Sequence, residues 1–123
     1  MGGDSNRPRR VAELLRRELA TLIRHELKDP RAHGVTITAV DVSPDLSSAK
    51  VYVTTLGAPE AARESVAALN HAAQFLRHRL LGRLVLRGVP QLQFRYDESL
   101  ERGRELTDLI ERAVAENHGH KPE

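Results

Sequence analysis

The sequence predicts an α+β domain in which helices pack on a small mixed sheet, and two patterns carry that prediction. Apolar residues recur at steps of three and four in three stretches, and β-branched or aromatic residues cluster or alternate in three others. The order is helix, strand, strand, helix (continuous or divided), strand, helix. Three strands form too small a sheet to be stable bare, so helices must cover one face of it. At 123 residues, 40% of them hydrophobic, the chain has the size of a single core that folds alone. No internal repeat divides it. The expected limits are a flexible N-terminus over residues 1–6, one domain over 7–116 and a disordered tail over 117–123.

Val11, Leu14, Leu15, Leu19, Leu22, Ile23 and Leu27 share one stripe, which sets a first helix from about Pro8 to Lys28. Pro8 suits the first turn, where its missing N–H would have no partner in any case. Asp29-Pro30 ends the helix, because proline pushes the preceding residue out of the helical region. Two strands follow in VTITAVDV and AKVYVTTL, joined by Ser43-Pro44-Asp45-Leu46-Ser47-Ser48 in a hairpin whose loop is longer than the two-residue kind. Ala62, Val66, Leu69, Ala73, Leu76, Leu80 and Leu84 then keep one phase. Periodicity thus predicts one long helix or two nearly collinear ones, stopped by Gly88-Val89-Pro90. Leu92, Phe94 and Tyr96 alternate with Gln93 and Arg95 in a third strand. In the last helix Ser99 is a candidate cap, Glu98 and Glu101 lie near the positive end, and Gly103 is a candidate break after the first turn. Leu106, Leu109, Ile110, Ala113 and Val114 are its expected buried stripe.

The chain has no cysteine, which removes disulfides and thiolate metal sites and fits a reducing compartment. Its N-terminus, MGGDSNRPRR, has no apolar signal-type segment, no run is long enough to span a bilayer, and Asn6 stands where an N-myristoylation pattern needs Ser or Thr. These features predict a cytoplasmic protein without membrane contact. The formal net charge of +2 hides an asymmetry: residues 7–31 carry +4 and residues 65–96 carry +5, against −2 for 32–64 and −4 for 97–123. Such a distribution suits a polyanion-binding face with an acidic far end, while the solvated surface of ordinary helices is the plain alternative.

No catalytic or cofactor motif is present. His25-Glu26 lies in HELKD, without the second histidine four residues on that would complete a zinc-binding helix face. There is no P-loop, dinucleotide fingerprint or nucleophile elbow, and no GxxG to clamp a nucleic-acid backbone. The expectation is a binding protein, not an enzyme, with no metal, cofactor or small-molecule substrate. Stacking on RNA bases is disfavoured too, because Leu92 shares the strand face of Phe94 and Tyr96 and the chain has only four aromatics to fill its core. Phosphate contact by arginine is what is left. Arginine supplies 16 of the 19 basic residues, and its planar fork matches phosphate oxygens. In NHAAQFLRHRLLGRLVLRG, Arg79, Arg83 and Arg87 are spaced by four with Arg77 to one side, and no carboxylate occurs between Glu64 and Asp97. On a helix these form a drifting stripe beside Leu76, Leu80 and Leu84. Arg77, Arg79, Arg83 and Arg87 are therefore the first-rank RNA-binding candidates, and Arg7, Arg9, Arg10, Lys28 and Arg31 the second rank.

Four segments carry a family resemblance: RPRRVAELLRRELATLI, the helix stop ELKDPR, VDVSPDLSSAKVYVT across the hairpin and VPQLQFRYDESLERG across the third strand. In this order and spacing they resemble ribosome-binding factor A, a family of bacterial ribosome assembly factors, from about Arg7 to Ala115. The resemblance implies a KH-like type II domain of order α-β-β-α-(kink)-α-β-α, in which an interhelical kink of the form Ala-x-Gly replaces the GxxG loop. Here the kink residues are Ala72, Ala73 and Gln74, so the alanine is kept and the glycine is not; glutamine favours helix over glycine by roughly 1 kcal/mol. The resemblance further implies binding to the free 30S subunit or its precursor, help in late maturation of 16S rRNA, particularly at its 5′ end, and special importance in the cold. It implies no catalysis, and a monomer is the simplest state. The same arginines would serve a general KH-like RNA or DNA binder without a ribosomal role, and the acidic last helix would serve a protein-interaction module. Binding to ribosomal particles separates these readings.

Overall fold

The computed structural model describes residues 6–57, 59–84 and 88–119. Helix α1 (Arg7–Glu26) has proline in its first turn and buries Val11, Leu15, Leu19, Leu22 and Ile23. Leu14, expected in that stripe, is 40% exposed, since it stands roughly 100° round the helix from Leu15 on the side away from Ile23. The chain becomes extended at Leu27, and the Asp29 carboxylate then accepts the Arg31 N–H at 3.0 Å to cap a single 3-10 turn (Pro30–Ala32).

Strands β1 (Val35–Val42) and β2 (Ser48–Thr55) pair antiparallel, and β3 (Gln91–Tyr96) pairs parallel to β2, giving the order β1-β2-β3. A parallel pair needs a crossover, and helices α2 (Pro59–His71) and α3 (Ala73–Leu81) provide it. The register shifts between Ile37 and Ala39, leaving Thr38 as the extra residue of a bulge; its hydroxyl donates to Asp97 Oδ2 at 2.5 Å. Asp45 organises the hairpin loop. Its Oδ1 accepts from the Ser47 and Ser43 hydroxyls, both at 2.7 Å, and from the Ser47 N–H at 3.1 Å, and these bonds hold its pKa at about 2. Leu46, at φ 62, turns the loop in the left-handed region and packs partly against the core.

Period-2 alternation sorts the sheet into two faces. Ile37, Val42, Ala49, Val51, Val53, Leu92 and Phe94 are buried beneath the helices, where they meet Leu15, Leu19, Leu69, Leu76 and Leu80. Asp41, Lys50, Gln93 and Arg95 stand on the other face in solvent.

The terminal helix α4 (Ser99–Gly119) departs from expectation. Leu106, Leu109, Ile110 and Val114 are between 48% and 59% exposed, and Ala113 is exposed with them. The apolar sheet face is already covered by α1, α2 and α3 and the other face is polar, so the stripe is left exposed among the described residues. The cap also differs. Asp97, not Ser99, caps the start: its Oδ1 accepts the Ser99 N–H at 2.9 Å, and the Ser99 side chain, the Thr38 hydroxyl and this N–H together lower the carboxyl pKa. The helix continues through Gly103 and reaches Gly119, past the expected start of the tail at Asn117. Residues 1–5 and 120–123, expected to be flexible, lie outside the described residues.

Candidate nucleic-acid interface

Continuous phase allowed one long helix or two nearly collinear ones, and the chain forms two, parted at Ala72, which has φ −90 and ψ 3 between α2 and α3. The Ala72 N–H is shared between the carbonyls of Ala68 and Leu69, both at 3.1 Å, while the Leu76 N–H still reaches Ala72 at 2.9 Å. The helical ladder is loosened rather than cut. Ala72 and Ala73 pack partly against the core. A second hold comes from the open edge of the sheet. Gln91 N–H bonds to Ser47 and Asp97 N–H to Val53, so odd-numbered residues of β3 face β2 and Phe94 turns its N–H and C=O to that edge. Asn70 fills both: its Nδ2 donates to Phe94 O at 3.0 Å and its Oδ1 accepts the Phe94 N–H at 2.8 Å. Gln74 Nε2 adds a long contact to Gln91 Oε1 at 3.5 Å. Replacing Asn70 with Ala removes both backbone partners and is expected to lower stability by about 1–2 kcal/mol. Hydrogen exchange checks the cause, because the Phe94 amide should lose its protection while the β2-facing amides of Gln91 and Gln93 keep theirs.

Helix α3 stops sooner than Gly88. The N–H of Gly82 reaches Arg79 O at 3.2 Å and that of Arg83 reaches Leu80 O at 3.0 Å, a 3-10 tightening that ends the helix at Leu81. Arg83 therefore lies beyond the helix, and Arg87 lies outside the described residues. The arginines that remain are occupied. Arg77 Nε donates to Val89 O at 2.8 Å, which ties α3 to the segment before β3. Arg79 Nη2 meets Glu26 Oε1 at 2.8 Å and Arg83 Nε meets Glu18 Oε1 at 2.6 Å, across a cleft of about 570 Å³ between α1 and α3. The Arg79 guanidinium also lies 5.8 Å from the Phe75 ring centroid. Exposed pairs of this kind contribute about 0–1 kcal/mol each, so a phosphate can displace the carboxylate at small cost.

Arg7, Arg9 and Arg10 are exposed on the first turn of α1, where no acidic residue stands. Arg7 and Arg77, one from each rank, line the same hollow of about 580 Å³ beside Asp45, Val89 and Gln91. Lys28 is exposed just after α1, whereas Arg31 is forked onto Asp29, with Nη2 at 2.7 Å from Oδ2, and holds that carboxyl at about 2. Sequence reasoning passed over Arg16, Arg17 and Arg24, which are exposed on α1 without an ion pair among the described residues. Also among the described residues, no group of three His, Cys, Asp or Glu side chains could hold a metal, and no helix is long and apolar enough to cross a membrane.

The model of the family described as ribosome-binding factor A matches residues 7–110. A ribosome-binding factor A of Nitrosococcus oceani is 56% identical over 114 residues, covering 93% of this chain and 90% of the relative. One from Pseudomonas putida is 54% identical over 123 residues, covering 98% and 93% respectively. Among solved structures, the crystal structure of ribosome-binding factor A from Thermus thermophilus is similar with a TM-score of 0.66 at 32% identity, covering 75% of this chain and 97% of the other. A homology model of the Thermus thermophilus factor, fitted into the cryo-EM map of its complex with 30S, is similar with a TM-score of 0.59 at 34% identity, covering 71% and 91%.

Proposed function

This chain belongs to the ribosome-binding factor A family, and from that premise we propose that it is a ribosome assembly factor. It binds the free 30S subunit or its precursor in the cytoplasm and assists late maturation of 16S rRNA, including the 5′ end, with greatest effect in the cold. The observation that carries this reading is the similar Thermus factor fitted into the map of a 30S complex. The factor acts without catalysis: basic side chains grip rRNA phosphates and favour one folded arrangement of the subunit until maturation is complete. Arg7, Arg9, Arg10 and Lys28 make such contacts, supported by their exposure and their lack of acidic partners among the described residues. Arg79 and Arg83 join by exchanging Glu26 and Glu18 for phosphate, Arg31 by leaving Asp29, and Arg87 from the segment that follows, while Arg77 supports α3 from Val89. Ala72, Ala73 and Gln74 set the angle at which α3 presents its arginines.

Sedimentation with purified particles tests the reading. The protein is expected to pellet with 30S subunits and to prefer them to bare RNA or DNA duplexes. Retention in the supernatant with both 30S and 70S particles overturns it, and equal binding to bare duplex makes the protein a general nucleic-acid binder instead.

A further inference from the structure

Arginine recurs on α1 at seven-residue steps, as Arg9-Arg10, Arg16-Arg17 and Arg24. Seven residues fall just short of two turns, so Arg10, Arg17 and Arg24 stay in a line that drifts by about 20° per step. Each step rises about 10.5 Å, so the arginines are spread along the length of the helix rather than clustered at one end. The acids of α1 divide unequally about this line. Glu18 and Glu26 turn to the α3 side, where they pair with Arg83 and Arg79; Glu13 lies among the free arginines and pairs with none of them. The α3 flank of the helix is thereby neutralised, and the flank toward β1 keeps its charge.

That flank also borders a groove. Arg16 and Arg24 stand on its α1 side with the small Ala20 between them, and His33 and Thr36 stand on its far side at the start of β1, enclosing about 280 Å³. His33 Nε2 donates to Leu27 O at 2.6 Å, which fixes the ring and leaves Nδ1 to accept from a donor such as a ribose 2′-hydroxyl. Exposed guanidinium groups in a row along one helix, without acidic partners among the described residues and beside a groove that His33 and Thr36 close, fit the sugar-phosphate backbone of a single RNA strand.

We propose that this face of α1 is a phosphate rail on which Arg16, Arg17 and Arg24 hold an rRNA strand, continuing the contacts of Arg9 and Arg10. The proposal rests on the assembly-factor reading and adds to it the face that meets RNA. The test compares the full-length protein with its Arg16→Gln/Arg17→Gln/Arg24→Gln variant, in sedimentation with 30S subunits and in binding to a 16S rRNA fragment across a salt series. The three side chains are exposed, so the thermal melt of the variant should match the parent and certify its fold. With three phosphate contacts removed, the log-log salt slope should become shallower by about 2–3, and affinity for 30S should fall on the order of tenfold or more. A variant that pellets like the parent with an unchanged slope overturns the rail and leaves the assembly role standing. Loss of 30S binding with an unchanged slope on RNA overturns it as well, because the rail would then face an acidic protein. A parent that itself fails to pellet refutes the assembly role instead.

Discussion

Phe94→Ala is expected to cost about 3–5 kcal/mol, a large fraction of the roughly 5–15 kcal/mol that a domain of this kind has in total. The ring is 1% exposed and sits opposite Val51 of β2 under the crossover helices, so its removal leaves a hole walled by residues that are themselves fixed. Three connected elements limit collapse into that hole. Backbone pairing to β2 fixes one side of β3, the Asn70 amide holds the Phe94 N–H and C=O on the other, and α3 is tied through Arg77 to Val89. Urea unfolding should show the midpoint falling with little change in slope, whereas Phe94→Leu, which keeps most of the volume, should cost about 1–1.5 kcal/mol. The opposite outcome is also informative. If the ring stacked on RNA, the alanine variant would keep its stability and lose affinity, and the core assignment of β3 would be wrong.

Local pattern and final placement agree wherever the pattern itself measures burial. VTITAVDV became β1 over Val35–Val42 without a residue's shift, because alternation in a strand is the same fact as its two faces. Of the stripe from Ala62 to Leu84, Ala62, Leu69, Leu76, Leu80 and Leu84 are buried and Val66 and Ala73 partly so, for the same reason. Periodicity is silent, however, on whether an apolar face has anything to meet, and Leu106, Leu109 and Ile110 show the consequence: α4 has the pattern of a packed helix and no covering partner among the described residues. The stop at Gly82 was hidden in a related way. Leu84 is buried and in phase, yet it reaches the core from a turn rather than from helix.

The candidate site was less legible than the fold, because charge was counted along the chain and pairing occurs in space. The window from Glu64 to Asp97 holds no acid, but Glu18 and Glu26 arrive from 65 and 53 residues away to meet Arg83 and Arg79. In α1 the same partition worked in reverse. Glu13, Glu18 and Glu26 are interleaved with the arginines in sequence, and only the packing of α3 on one flank shows that two of the three acids are committed elsewhere. Asn70 belongs to this class of omissions. A polar residue in a helical window reads as surface, and its role depends on an open strand edge that only the topology creates.

Glu18→Gln/Glu26→Gln turns this partition into a measurement. The double change frees Arg79 and Arg83 and raises the formal charge by two, while the loss of two partly exposed pairs costs the fold no more than about 1 kcal/mol each. Affinity for 30S is expected to rise on the order of tenfold, since each arginine no longer gives up a carboxylate before it takes a phosphate. The salt slope then separates two states of the parent complex. If Arg79 and Arg83 already exchange partners on binding, the number of phosphates neutralised is the same in both proteins, and affinity rises at a constant slope. If they stay on their acids in the parent complex, the variant gains up to two new contacts and its slope steepens by about 2. The proposed exchange requires the first result. Unchanged affinity together with an unchanged slope would mean that the cleft between α1 and α3 faces away from rRNA, and contact would then fall to the opposite flank of α1, where Arg16, Arg17 and Arg24 have no acid to give up.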